Sequence, residues 1–183
     1  MEFVAIIAGV LVFCCLYPIA GAYKKHEASK ELRKRLKAMN FTTTASLLAP
    51  AAEIYIDADH GSWFVRTDLE TSFVEVRPAR ELAGFELRES GNLILSATAG
   101  KPFSTALFSD SHKNVRLPEN GKCTEFYLTL RTRGASERLF TVSLLDSTVF
   151  RSSPDYKNAL ARARHAVRAL AELCGSKINE TNS

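Results

Sequence analysis

From Phe3 to Tyr23 the chain runs for 21 residues without a charge: F-V-A-I-I-A-G-V-L-V-F-C-C-L-Y-P-I-A-G-A-Y. As a helix rising ~1.5 Å per residue, that stretch reaches about 31 Å, the thickness of a bilayer's hydrocarbon core. Seven basic residues follow at once: Lys24, Lys25, Lys30, Arg33, Lys34, Arg35 and Lys37. None precedes the run, and an excess of Lys and Arg on one flank places that flank inside. The expectation is a single-pass transmembrane helix over residues 1–23 at the cell membrane. A basic helix and linker over residues 24–49 would touch membrane lipid through the seven cations, and the folded part would be cytoplasmic. The competing reading is a cleaved signal peptide: Ala20-Gly21-Ala22 supplies a small-x-small site, although a basic n-region is missing. Cys14 and Cys15 read as two apolar residues of the run rather than as acylation sites.

The charge is distributed unevenly. The whole chain is formally +4. Residues 24–37 hold the seven basic side chains against Glu27 and Glu31, a net +5. Residues 50–183 hold seventeen Lys and Arg against seventeen Asp and Glu, a net of zero, and Glu2 supplies the remaining −1. A nucleic-acid-binding domain carries its basic excess on its own fold, so this balance argues against nucleic acid as a partner. The excess beside the apolar run suits anionic headgroups instead. Within the basic segment Leu32, Leu36 and Met39 form a narrow helical stripe.

After Pro50 the pattern turns β-rich, and residues 50–175 are long enough for one domain. Strands are expected at Glu53–Asp57, Ser62–Thr67, Thr71–Val76, Glu81–Glu89, Asn92–Ala97, Cys123–Arg133 and Glu137–Leu145. The turns Ala58-Asp59-His60-Gly61 and Ser90-Gly91-Asn92 punctuate them. Phe126, Leu128 and Leu130 alternate with polar neighbours, the period-2 mark of a half-buried antiparallel strand. Residues 100–121, with two prolines and a polar centre, suggest a long loop, and F-T-T-T-A-S-L-L-A-P (41–50) suggests a linker. Ser153-Pro154-Asp155 is a helix start. Tyr156, Leu160, Ala163, Val167, Leu170 and Cys174 then share one apolar face before Gly175 stops the helix, leaving residues 176–183 as a disordered tail.

The stretches Ile56-Asp57, Arg80-Glu81-Leu82, Phe85-Glu86-Leu87 and Glu89-Ser90-Gly91 resemble a family of uncharacterised bacterial PH-like domains, often SHOCT-associated. So do Tyr127-Leu128-Thr129-Leu130, Arg151-Ser152-Ser153 and Tyr156-Lys157, and the likeness covers about residues 53–173. The resemblance implies an α+β fold: an antiparallel β-barrel or sandwich of about seven strands, its open end plugged by the C-terminal amphipathic helix. It implies no catalytic residue.

The chemistry-bearing candidates are few. Asp57, Asp59 and His60 are the best metal-like cluster, but Asp and Gly are also what a hairpin turn requires, and no second His or Cys pair has ligand spacing. No G-x-S-x-G, P-loop or G-x-G-x-x-G is present. Cys123 and Cys174 read as buried thiols. Phosphoinositide binding is disfavoured because Arg66 is the sole cation near the first hairpin. Arg131, Arg133 and Arg138 surround the last hairpin turn and suit lipid, an acidic partner or, as such groups more often do, a solvated rim. No catalytic residue, cofactor or metal is expected. The reading is a membrane-tethered interaction module that binds a protein partner. The alternative is a small-ligand or enzymatic domain without a recognisable motif. Perturbed titratable groups gathered in one apolar pocket would favour the alternative, and an open sheet edge would favour the interaction module.

Overall fold

The computed structural model describes residues 23–67, 69, 71–100, 103–104, 121–133, 137–175 and 178–179. The chain divides into two compact units, Met1–Asn40 with Asp68–Phe73, and Phe41–Thr67 with Val74–Ser183.

In the first unit residues 23–38 form a helix, α1. Ala28, Leu32 and Leu36, spaced four apart, are buried on one stripe. Met39, expected to continue that stripe, is exposed, because the helix ends there and Asn40 turns left-handed at φ 54°. Residues 71–73 are irregular, so the strand expected over Thr71–Val76 does not form.

The expected membrane anchor is corrected here. Its residues lie outside the described ones except for Tyr23. Among the described residues no helix is long and apolar enough to cross a membrane. At ~1.5 Å per residue α1 spans about 24 Å, and residues 24–37 are dense with charge that a hydrocarbon core would exclude. The transmembrane helix, the cell-membrane localisation and the cytoplasmic assignment are therefore not carried forward.

The second unit opens with a four-stranded antiparallel meander: β1 (Ala45–Leu48), β2 (Glu53–Asp57), β3 (Ser62–Arg66) and β4 (Arg77–Pro78). A 3₁₀ turn at Ala79–Glu81 leads into β5 (Leu82–Glu89) and β6 (Asn92–Thr98). The short strands β7 (Phe103–Ser104) and β8 (Lys122–Cys123) follow, then β9 (Phe126–Thr132), β10 (Leu139–Ser143) and β11 (Val149–Phe150). Helix α2 (Pro154–Leu173) and β12 (Ile178–Asn179) complete the order. The second sheet runs β10-β9-β5-β6, all antiparallel, while β8 pairs with β11 and β7 pairs with β12.

Local chemistry explains the hairpins. Ser90 and Gly91, at φ 46° and 80°, make a two-residue turn of the kind that matches strand twist, and Glu89 faces Asn92 across it. In β9 the residues Phe126, Leu128, Leu130 and Thr132 face the core as the alternation requires. Gly84 lies where β5 irregularly pairs with β9, and a Cβ there would stand 2.3 Å from the Ala97 carbonyl oxygen.

The PH-like barrel and its plug are also corrected. The described strands form two separate four-stranded sheets with free ends, and no barrel closes. The cause is topological: β9 adds to β5 on the side opposite β6, so the second sheet is not a continuing meander. Helix α2 packs chiefly on β1, the strand hidden in the expected linker. Ser153 Oγ caps it by accepting the Tyr156 N–H at 3.3 Å, with Pro154 in the first turn. Its buried face, Tyr156, Ala159, Ala163, Ala166, Val167 and Leu170, is rich in alanine, which lets the helix approach closely; Leu160 is only partly buried. The core between these elements contains Ile54, Ile56, Trp63, Phe85, Leu87, Phe126 and Leu128.

Candidate functional site

The seven basic side chains expected to contact a surface are all exposed on α1. Glu31 stands 3.8 Å from Lys34 and 3.7 Å from Arg35 in helical pairs.

Asp57 and His60 do come together, as a turn lock. Asp57 is fully buried, its Oδ2 accepting the Thr42 N–H at 2.7 Å and meeting His60 Nδ1 at 2.8 Å, its Oδ1 accepting the His60 N–H at 3.0 Å. Burial pushes the carboxyl up, but these bonds to the anion outweigh it and hold the group below the ordinary carboxylate value. The carboxylate thereby ties the segment entering β1 to the β2–β3 hairpin. Among the described residues no cluster suits a metal.

Arg66 is buried as well, donating from Nη1 to Glu53 Oε2 at 3.0 Å, and Tyr55 OH donates to the same oxygen at 3.1 Å. It is part of the sheet, not a free cation beside the hairpin. Cys123 and Cys174 are free and buried, and burial raises each thiol to about 11, with the Glu89 charge adding to the rise at Cys123. Neither suits a nucleophile at neutral pH.

The strongest buried polar cluster was not anticipated. Glu89, at the end of β5, is 2% exposed. Its Oε1 accepts from Arg151 Nε, and its Oε2 accepts from Tyr156 OH at 2.8 Å. Burial, and then the Glu89 carboxylate, push the Tyr156 hydroxyl upward. Both oxygens are engaged by the protein, and the group joins β5, the turn after β11 and the first turn of α2. A cleft of about 570 Å³ opens nearby between the loop after β10 and α2, lined by Leu144, Asp146, Ser147, Asp155, Asn158 and Arg162 among others. Glu89, Tyr156, Cys123 and Cys174 do not line it, so the perturbed groups and the cleft do not combine.

The last hairpin presents a different kind of feature. Phe140, on the core side of β10, is held by Trp63 edge-on at 6.1 Å and by the Arg77 guanidinium 5.4 Å from its ring centre. Arg77 in turn pairs with Glu75 and Glu81. Leu144 N–H donates to Phe126 O at 2.8 Å, and Thr132 N–H donates to Arg138 O at 3.0 Å. Antiparallel pairs alternate between bonded and non-bonded, so Phe140 and Val142 bond β9 while Leu139, Thr141 and Ser143 point their N–H and C=O away from it. No backbone partner meets those three residues among the described residues, and all three are exposed, Leu139 at 68%. Arg131 is the cross-strand neighbour of Leu139, Arg138 precedes the strand, and Arg133 donates to Ala99 O at 3.4 Å.

No family model, no curated protein and no solved structure matches the chain.

Proposed function

We propose that this chain is a non-catalytic interaction module that takes up an extended protein segment as an additional strand along β10. The observation that carries the reading is an edge with no backbone partner among the described residues: three successive outward-facing backbone positions, Leu139, Thr141 and Ser143, on a strand whose opposite face is clamped by Trp63 and Arg77 through Phe140. Strand addition needs such a rigid, unpaired row, since main-chain bonds supply the affinity. The residues of β10 are Leu, Phe, Thr, Val and Ser, without the charge, proline or bulge that usually blunts an edge. The engaged oxygens of Glu89 and the raised thiols support a binding role over a chemical one.

The test is selection of random linear peptides against the full chain. Bound peptides should slow hydrogen exchange at the Thr141 and Ser143 amides and should lose binding to a Thr141→Pro variant, which lacks one outward donor. Selected peptides that protect other amides and ignore that variant would remove the reading.

A further inference from the structure

We infer that the strand received by this edge is β10 of a second copy of the chain, paired antiparallel about a two-fold axis at Thr141. The inference rests on the strand-addition reading and names its partner. Outward backbone groups occur at every second residue, Leu139, Thr141 and Ser143. A ladder forms only where outward residues oppose outward residues; a slip of one residue sets them against inward ones. The register centred on Thr141 opposes Thr141 to itself and Leu139 to Ser143 on either side. Three bonded pairs of two bonds each then use every outward N–H and C=O, while a slip of two residues in either direction loses a whole pair. The edge is thus complementary to itself in one register, as a two-fold interface requires.

The side chains agree with that register. On the solvent face Thr141 meets Thr141, a favourable cross-strand pair. Leu139 lies against the small Ser143 of the other copy, whose own cross-strand neighbour is Tyr127, so an exposed leucine gains an aromatic beside it. Residues 139–143 carry no charge, so two copies meet without repulsion along the seam. Arg138 precedes the strand and pairs with Glu75 at 3.7 Å within its own copy, so its charge is balanced where the two copies meet. A seam of five residues a side is smaller than the ~1,200–2,000 Å² of a standard interface, so the pairing depends on concentration.

Sedimentation velocity on the full chain tests this, with a charge exchange at position 141. The wild type should sediment faster as concentration rises, moving from monomer toward dimer. A Thr141→Lys variant sets two lysines directly across the axis and should remain monomeric, as should a Thr141→Glu variant. An equal mixture of the two should regain the dimer. Thr141 is exposed, so both variants should keep the wild-type circular dichroism spectrum. A wild type that stays monomeric throughout, association that both variants leave unchanged, or a mixture that fails to recover would each overturn the second copy as partner. The peptide selection separates the two readings. A monomeric chain that still selects peptides sensitive to Thr141→Pro overturns self-pairing alone, and one that selects none overturns strand addition too.

Discussion

Replacing Glu89 with alanine should cost the fold about 3–5 kcal/mol. The carboxylate is 2% exposed and the Arg151 side chain 9%, so the substitution takes the buried counter-charge from a guanidinium in a place water barely reaches. It also removes the acceptor of the Tyr156 hydroxyl, a bond to a charged group of the kind worth about 1.5–3 kcal/mol. Tyr156→Phe alone should therefore cost less than Glu89→Ala. Against a typical domain stability of ~5–15 kcal/mol, the Glu89 loss is a fifth or more. Urea unfolding followed by tryptophan fluorescence reads it: Trp63 is fully buried, and the midpoint should fall by about 1 M or more with the slope unchanged. The decisive comparison is the double replacement Glu89→Leu with Arg151→Met. Removing both charges should cost clearly less than the sum of the single changes, because neither variant group is left charged and buried. Additive effects, or a Glu89→Ala cost below about 1 kcal/mol, would refute the claim that this pair is electrostatically coupled inside the fold.

Gly84→Ala should destabilise by about 1–3 kcal/mol or more in thermal unfolding, because the new Cβ would stand 2.3 Å from a backbone oxygen that cannot move without shifting β6; an unchanged melting temperature would contradict that contact. On α2, Leu170→Ala should cost about 2–5 kcal/mol, whereas Arg168→Ala, on the exposed face, should stay within about 0.5 kcal/mol, as read by urea unfolding; equal effects would mean that this face is not packed. Asp57 has a lowered pKa in the fold, so its contribution is complete above its unfolded value near 3.8 and is lost as pH falls through the lower folded value. The stability difference between wild type and Asp57→Asn should therefore shrink below about pH 4, and a difference that stays constant down to pH 2 would remove the anion from the account.

Much of the second unit was legible because its signals are local. The alternation of Phe126, Leu128 and Leu130 marks β9, Ser90-Gly91 marks a tight hairpin, and Ser153-Pro154 with Gly175 brackets α2. What escaped depends on distant partners. The strand β1 shows only Ala45 and Leu47 inward over four residues, and its threonine-rich approach looked like a linker until α2 covered it. Thr71–Val76 carries a good strand pattern, yet Phe73 is 75% exposed, and pairing begins only at Arg77. The order β10-β9-β5-β6 was out of reach because hairpin turns specify sequence neighbours, not which strand adds across a separation of more than thirty residues. Glu89 did leave a signal: it shares inward parity with Phe85 and Leu87, and a carboxylate at that position demands a buried partner. That partner, Arg151, is 62 residues away, so the pair is visible only in the fold.

The candidate edge was illegible for the same reason, since strand composition alone does not say which backbone groups β9 leaves unused. The two sheets treat their edges differently. At one end of the first sheet β4 is two residues long and carries Pro78, which has no N–H to offer. At the other end, Arg162 of α2 donates from Nη1 to the Leu48 carbonyl of β1 at 2.9 Å, and the helix packs along that strand. Both are recognised ways to stop a sheet from growing. In the second sheet the outer strand β10 carries no proline, and among the described residues no helix covers it. Meanwhile Arg77, Trp63 and Phe140 hold its inner face in place. A strand rigid on one side and unblunted on the other would be an aggregation hazard unless its pairing ended after one event. A two-fold axis at Thr141 ends it, because two copies paired there leave no outward group on either β10 to receive a third.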